Sequence, residues 1–389
     1  MTHKLVRFSL ISLLIILSNC TSSDEGEPIG SHLNLVKSVS ILLPSLTKEK
    51  STGFQSGKLD GVETILFVDT ENNCVLRLHP NNSLPPVKHC FPREGPGSIK
   101  KVRGADFYDS HTIIVSSIEP TYHLYDVIEG SLRNINLMDE EADFEVGNFT
   151  SIYPEKFVTI GDLGYFVNNG KTTMNDLGRQ FPKYPLVSSI DRKNSTINYT
   201  NFYFPKEYHA EKSLLSYASF AGGSDQLVVS LPSNHDLYTY NTRTRKQQRI
   251  SARSQFLPDE FPSFDAQDAG NYYSYLAVQP MYLGILYDPY RNLYYRIAKL
   301  PAGEYQSHIE ERTAVYSRYK HQFSIMVLDE AFNVLGEQLL PADTYNNRNI
   351  AVIEDGLLIS KMHPFNHSIE TEGTIEADVY LWQNAESLL

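Results

Sequence analysis

A six-bladed, all-β propeller is the fold this sequence predicts, and three observations predict it. Short runs rich in Val, Ile, Leu, Tyr and Phe, such as Thr64-Ile65-Leu66-Phe67-Val68 and Gln226-Leu227-Val228-Val229-Ser230, recur between clusters of Asp, Asn, Gly and Pro. That is the pattern of strands joined by turns. An apolar run ending in a turn-former then repeats six times: Leu78-His79-Pro80, Leu124-Tyr125-Asp126, Ser189-Ile190-Asp191, Thr239-Tyr240-Asn241, Val327-Leu328-Asp329 and Leu381-Trp382-Gln383. The steps between them are 46, 65, 50, 88 and 54 residues, intervals that suit propeller blades. Finally, residues 35–43 read as a lone strand and residues 379–382 as a last strand without a successor. Pairing the two closes the ring and removes an exposed edge. Seven blades is the runner-up, because the long step holds an additional hairpin, residues 284–288 turning into 293–296. A pair of β-sandwiches comes third. Helical periodicity is scarce, with short candidates at 207–216 and 307–319 only.

Residues 1–19 read as a lipoprotein signal peptide. Lys4 and Arg7 precede an apolar run over residues 8–17, and Leu17-Ser18-Asn19-Cys20 follows as a lipobox-like sequence. The small residues at 18 and 19 leave the bond before Cys20 open to a peptidase, and the Cys20 thiol carries the lipid. The run is far shorter than the ~20 residues that cross a bilayer. More than one acyl chain on Cys20 would give stable attachment. Residues 20–32 then form the lipidated cysteine and a flexible acidic tether that includes Asp24, Glu25 and Glu27. Residues 33–389 form a single propeller domain, since all-β chains of this length often fold as one unit.

Only Cys74 and Cys90 remain for a disulfide, which the envelope compartment favours. Residues 74–79 read as a strand, 80–83 as a turn and 87–90 as the return strand. Folding this hairpin about Asn82 sets the two cysteines opposite each other. Such a bridge adds about 3 kcal/mol for a loop of this size. Two free buried thiols are the alternative.

Removal of Lys4 and Arg7 with the leader takes the formal net charge from −12 to −14. So acidic a chain repels nucleic acid, and the sequence reads as having no compensating basic patch. Arg243, Arg245, Lys246 and Arg249 cluster between strand-like runs, as a solvated hairpin tip would. The run Asp139, Glu140, Glu141, Asp143, Glu145 is a solvated loop without the ordered spacing of a calcium loop.

After the first full hairpin comes Arg93-Glu94-Gly95-Pro96-Gly97-Ser98-Ile99. It resembles the Gly-x-Gly-Pro-Gly-Glu-Phe loop of six-bladed propeller lipoproteins from Bacteroidetes, with Arg93, Ser98 and Ile99 as departures. Gly95, Pro96 and Gly97 suit an inter-blade turn, the glycines for their backbone freedom and the proline for stiffness. Residues 287–296, Tyr-Asp-Pro-Tyr-Arg-Asn-Leu-Tyr-Tyr-Arg, are similar to a subgroup of that family whose function is unknown. The acidic tract after Cys20 resembles the export signal of surface-exposed lipoproteins of the same phylum. The resemblance implies a fold and an outer-membrane anchor facing the cell surface, but no reaction.

No nucleophile elbow, Walker loop, dinucleotide fingerprint or His-Glu-x-x-His occurs, so no residue is assigned as catalytic. His363 and His367, with Glu370 and Glu372 beyond them, are the best-spaced metal candidates. Pro364 between them removes the helical i, i+4 geometry. Eight tyrosines fall between 272 and 295. Tyrosine offers a flat face and a hydroxyl to sugars and peptides, and it also fills the space between blades. Asp265, Asp268, Tyr272, Tyr273, Tyr275 and Tyr290 are the ligand-binding candidates. The leading function is a lipid-anchored envelope module that binds a glycan, a peptide or an envelope protein and needs no cofactor. The alternative is a propeller hydrolase of the lactonase or phosphoesterase type, acting in the periplasm or at the cell surface. It would need a divalent cation held by acids scattered over several blades. A scaffold in an envelope complex is the third reading, and fold alone selects none of them.

Overall fold

The structure, a computed structural model, describes residues 32–47, 52–137, 157–168, 185–205, 218–262, 279–301, 322–342, 344–361 and 373–383. Among these residues there are no helices, and twenty-four strands form six four-stranded antiparallel sheets. Blade 1 holds β2 (Thr52–Leu59), β3 (Val62–Asp69), β4 (Cys74–Leu78) and β5 (Val87–Cys90). Blade 2 holds β6 (Val102–Phe107), β7 (Thr112–Ser117), β8 (Thr121–Asp126) and β9 (Leu132–Asn136). Blade 3 holds β10 (Val158–Ile160), β11 (Leu163–Val167), β12 (Val187–Asp191) and β13 (Ile197–Tyr199). Blade 4 holds β14 (Ser219–Gly223), β15 (Gln226–Ser230), β16 (Asp236–Asn241) and β17 (Gln247–Ser251). Blade 5 holds β18 (Met281–Asp288), β19 (Leu293–Lys299), β20 (Phe323–Leu328) and β21 (Val334–Leu339). Blade 6 holds β22 (Ile350–Ile353), β23 (Gly356–Ser360), β24 (Thr374–Gln383) and, outermost, β1 (His32–Leu42).

The first strands of the blades touch one another in turn, β2 with β6 and β22, β14 with β10 and β18, and β18 with β22. They therefore ring the axis, while β5, β9, β13 and β17 face outward and are largely exposed. Side chains alternate across a strand, so each middle strand feeds two interfaces. On β3, Ile65 and Phe67 join the core shared with blade 6, and Leu66 and Val68 the core shared with blade 2. Six apolar cores result, one between each pair of neighbouring blades.

The ring closes as the lone strand predicts. β1 pairs antiparallel with β24 from His32–Gln383 to Leu42–Thr374, with a bulge between Leu35 and Lys37. The hairpin of residues 284–296 is not an extra blade. It supplies β18 and β19, and the step of 88 residues is long because segments 263–278 and 302–321 interrupt blade 5 and the approach to it. The candidate helices at 207–216 and 307–319 lie outside the described residues. Cys74 stands opposite Cys90 in the β4–β5 ladder, and the two sulfurs are bonded.

Candidate functional site

Strand order makes the two faces of this ring unlike. Connections from blade to blade, and from second to third strand, leave on one face. Turns from first to second strand, and from third to fourth, leave on the other. The turns of the second face span 2 to 8 residues, whereas connections of the first span 3 to 29. Every internal segment outside the described residues belongs to a connection of the first face. Long connections on a rigid frame are where proteins place recognition residues.

Asp265, Asp268, Tyr272, Tyr273 and Tyr275 fall in the 252–280 connection, and His363 and His367 in the 361–373 connection. All seven lie outside the described residues, as does Cys20. Tyr290 is separated from that tyrosine group by the length of β18, because it sits in the β18–β19 turn on the opposite face. There its hydroxyl donates to Glu63 Oε1 at 3.4 Å, and the Lys58 ammonium lies 5.6 Å from its ring centroid. Burial, then the Glu63 and Glu354 carboxylates, push the Tyr290 hydroxyl up to about 12. Burial also raises Glu63, to which Glu354 donates its backbone N–H at 2.5 Å. The remaining tyrosines of the run do structural work: Tyr287 packs on Tyr294 with ring centroids 4.9 Å apart, and Tyr295 donates to the buried Asp288 at 3.0 Å.

The glycine loop lies on the first face. Gly95 and Gly97 take φ of 89° and 70°, values that a side chain resists. The loop is rooted by Asn73, which is buried. Its Nδ2 donates to the carbonyls of Phe91 (2.9 Å) and Ile99 (2.7 Å), and its Oδ1 accepts from Val102 N (2.7 Å). Immediately beyond stand Lys100, Lys101 and Arg103, all exposed. Val102 pairs with Ser117 and Gly104 with Ser116, which leaves Arg103 as the extra residue of a bulge in the axial strand β6. The expectation of no basic patch overlooked this trio. Its trace in the sequence is three cations around one apolar residue with no acid among them.

The described part of the 252–280 connection is pinned by a closed hydrogen-bond network. Glu337 accepts from Ser254 Oγ (2.6 Å), Ser324 Oγ (2.5 Å) and Gln255 N (2.8 Å). Tyr282 Oη accepts from Ser254 N at 2.9 Å and lies 2.8 Å from His235 Nδ1. His235 Nε2 is 2.9 Å from the Pro258 carbonyl, which can only accept, so Nε2 carries a proton. Burial disfavours a second proton, so the ring is neutral and Nδ1 accepts from Tyr282.

Three histidines share that condition. Burial lowers His235 and His123, and burial with the Arg77 guanidinium lowers His89 to about 4. A folded-state value below the unfolded one means that the unfolded chain binds more protons below pH 6.5. Stability is therefore full above pH 6.5 and falls as pH drops toward 4. The expected loss is about 2 kcal/mol after allowance for partly exposed rings, or roughly 5 °C in Tm. Calorimetric melts between pH 7 and 4.5 check it. His89→Phe, which keeps the packing on Tyr125 (centroids 5.1 Å apart), should flatten the slope.

Among the described residues, no three His, Cys, Asp or Glu side chains converge as a metal-ligand group. No curated protein matches the chain. Among solved structures it is similar to a member of the DUF4221 family from Bacteroides vulgatus, with 19% identity and a TM-score of 0.75 over 92% of this chain and 99% of that one. Weaker likenesses are to U3-55K, at 6% identity and TM-score 0.48 over 88% and 98% of the two chains, and to regucalcin, a calcium-binding protein from Agrobacterium tumefaciens, at 12% and 0.45 over 89% and 95%. The family model described as "Domain of unknown function (DUF4221)" matches residues 88–339, and the chain belongs to that family.

Proposed function

We propose that this protein is a lipid-anchored binding module of the bacterial outer membrane, tethered through Cys20 and turned to the cell surface, with the face of long connections as its recognition surface. The observation that carries the reading is the asymmetry of the ring: turns of 2 to 8 residues on one face, connections of up to 29 on the other. The lipobox-like Leu17-Ser18-Asn19-Cys20 and the acidic tether after it support the anchor. Two chains on one cysteine hold a protein to a bilayer, whereas one does not.

The test is metabolic palmitate labelling of the full chain and of Cys20→Ala, with protease shaving of intact cells. Label in the first and none in the second, with the first shaved away, is the expected result. Label that survives Cys20→Ala would overturn the anchor. A panel of glycans and envelope peptides read by hydrogen exchange tests recognition. Protection confined to the short-turn face would overturn the choice of surface.

A further inference from the structure

Among the described residues, several exposed cations are met by an acid. Lys37 pairs with Asp355 at 2.5 Å, Lys193 with Asp162 at 2.6 Å, Arg243 with Asp225 at 2.7 Å and Arg249 with Asp236 at 2.5 Å. In a chain of net charge −12 such partners are plentiful. Lys100, Lys101 and Arg103 are exposed and make no ion pair among the described residues. Three like charges within four residues repel one another.

The backbone beneath them is fixed. The Lys101 carbonyl accepts from Ile118 N at 3.2 Å, and Val102 N is held by the buried Asn73 at 2.7 Å. Val102 is sunk in the core between blades 1 and 2, so the bulge at Arg103 turns that side chain outward. Bulges beside functional sites serve to re-aim a side chain in this way. The result is one guanidinium, able to grip a carboxylate or sulfate with two parallel hydrogen bonds, flanked by two mobile point charges.

We propose that Lys100, Lys101 and Arg103 bind the oxyanion groups of an acidic polysaccharide, a proposal that rests on the long-connection face being the recognition surface. A saccharide fits better than a peptide strand. Arg103 lies on an axial strand and Lys100 and Lys101 just before it, away from the outer strands whose free edges could accept a peptide by β-addition. Carboxylates and sulfates of a sugar chain require point charges and forked donors instead.

The test is calorimetric titration of the full-length protein in detergent with three probes: a sulfated heparin-derived hexasaccharide, a hexagalacturonate and a neutral dextran hexamer. The expected result is binding of one acidic probe at least tenfold tighter than dextran, with the preferred probe telling sulfate from carboxylate. The triple variant Lys100→Ala, Lys101→Ala, Arg103→Ala should lose at least tenfold and melt as the parent does. Arg243→Ala, Arg245→Ala, Lys246→Ala, on the short-turn face, should keep the parent affinity. Equal loss in both triple variants would mean unspecific attraction and overturn the proposal. Trio-dependent capture of a hexaglutamate as tight as that of the saccharides would reassign the site to acidic peptides. Binding that emerges only after Asp139, Glu140, Glu141, Asp143 and Glu145 are neutralised would assign the trio to the chain's own acidic run. Preference for dextran would overturn the oxyanion site and leave the recognition surface standing.

Discussion

A chain that begins at Leu43 is expected not to fold. The truncation removes β1 alone, yet β1 contributes to two interfaces at once. Leu33 is buried in the core between blades 5 and 6, and Ile41 in the core between blades 6 and 1. Ser38 donates to the buried Asp378 at 2.5 Å, where Lys361 also pairs at 2.6 Å, and Leu33 N donates to Gln338 of blade 5 at 2.8 Å. Loss of two buried aliphatic side chains costs about 2–5 kcal/mol each, against a total stability of about 5–15 kcal/mol for a domain. The bared edge of β24 is also a template for pairing with other chains. The truncated protein should be recovered as aggregate, or give no cooperative melt. A second chain separates closure from mere loss of mass: residues 32–42 moved behind residue 389 through a Gly/Ser linker. That chain places the same strand beside β24 and should melt cooperatively. If the truncated chain melted as the parent does, ring closure by β1 would have no energetic weight.

Much of this fold was legible because its punctuation is local chemistry. Each of the six repeated tripeptides sits at the end of a blade's third strand. In four of them the turn is made by the repeat residue itself. Asp126 Oδ1 accepts from Ile128 N and Glu129 N, Asp191 Oδ1 from Lys193 N, Asn241 Oδ1 from Thr244 N and Asp329 Oδ1 from Asn333 N. Such Asx turns depend on three or four neighbouring residues and so leave a trace that a linear reading finds. The Cys74–Cys90 ladder is equally local. The hairpin in blade 5 left seven blades as the runner-up, because spacing alone does not tell a connection from a blade. The site was less legible. Tyr290 looked like one of a tyrosine group, but β18 carries the chain from one face to the other between them. The basic trio was hidden by the net charge, since a mean over 389 residues says nothing about where unpaired cations gather.

The contact least legible in sequence carries the second large expected effect. Arg296 of β19 is fully buried and reaches across the interface into blade 4. Its Nε donates to Ser230 Oγ at 2.9 Å. Nη1 donates to the carbonyls of His235 (2.6 Å) and Ala252 (2.7 Å), and Nη2 to those of Asn234 (2.7 Å) and Asp236 (3.5 Å). The guanidinium carbon lies 3.3 Å from the Tyr282 ring centroid, a cation–π contact. Burial lowers the group to about 10, so it stays charged at neutral pH with carbonyl dipoles and a ring face as its counterweight. Arg296→Ala should cost about 3–5 kcal/mol, since it opens a cavity and strips carbonyls of a buried donor. Arg296→Lys keeps the charge but offers three donors where five are used, and should recover less than half of that loss. Three of the four carbonyls belong to the 231–235 turn and to the start of the 252–280 connection, both on the face of long connections. Hydrogen exchange in Arg296→Lys should therefore rise first at residues 232–236 and 252–258, below the threshold of global unfolding. Exchange that rose uniformly over blade 5 would mean that Arg296 supports the core of its own blade and leaves the face beside it unmoved.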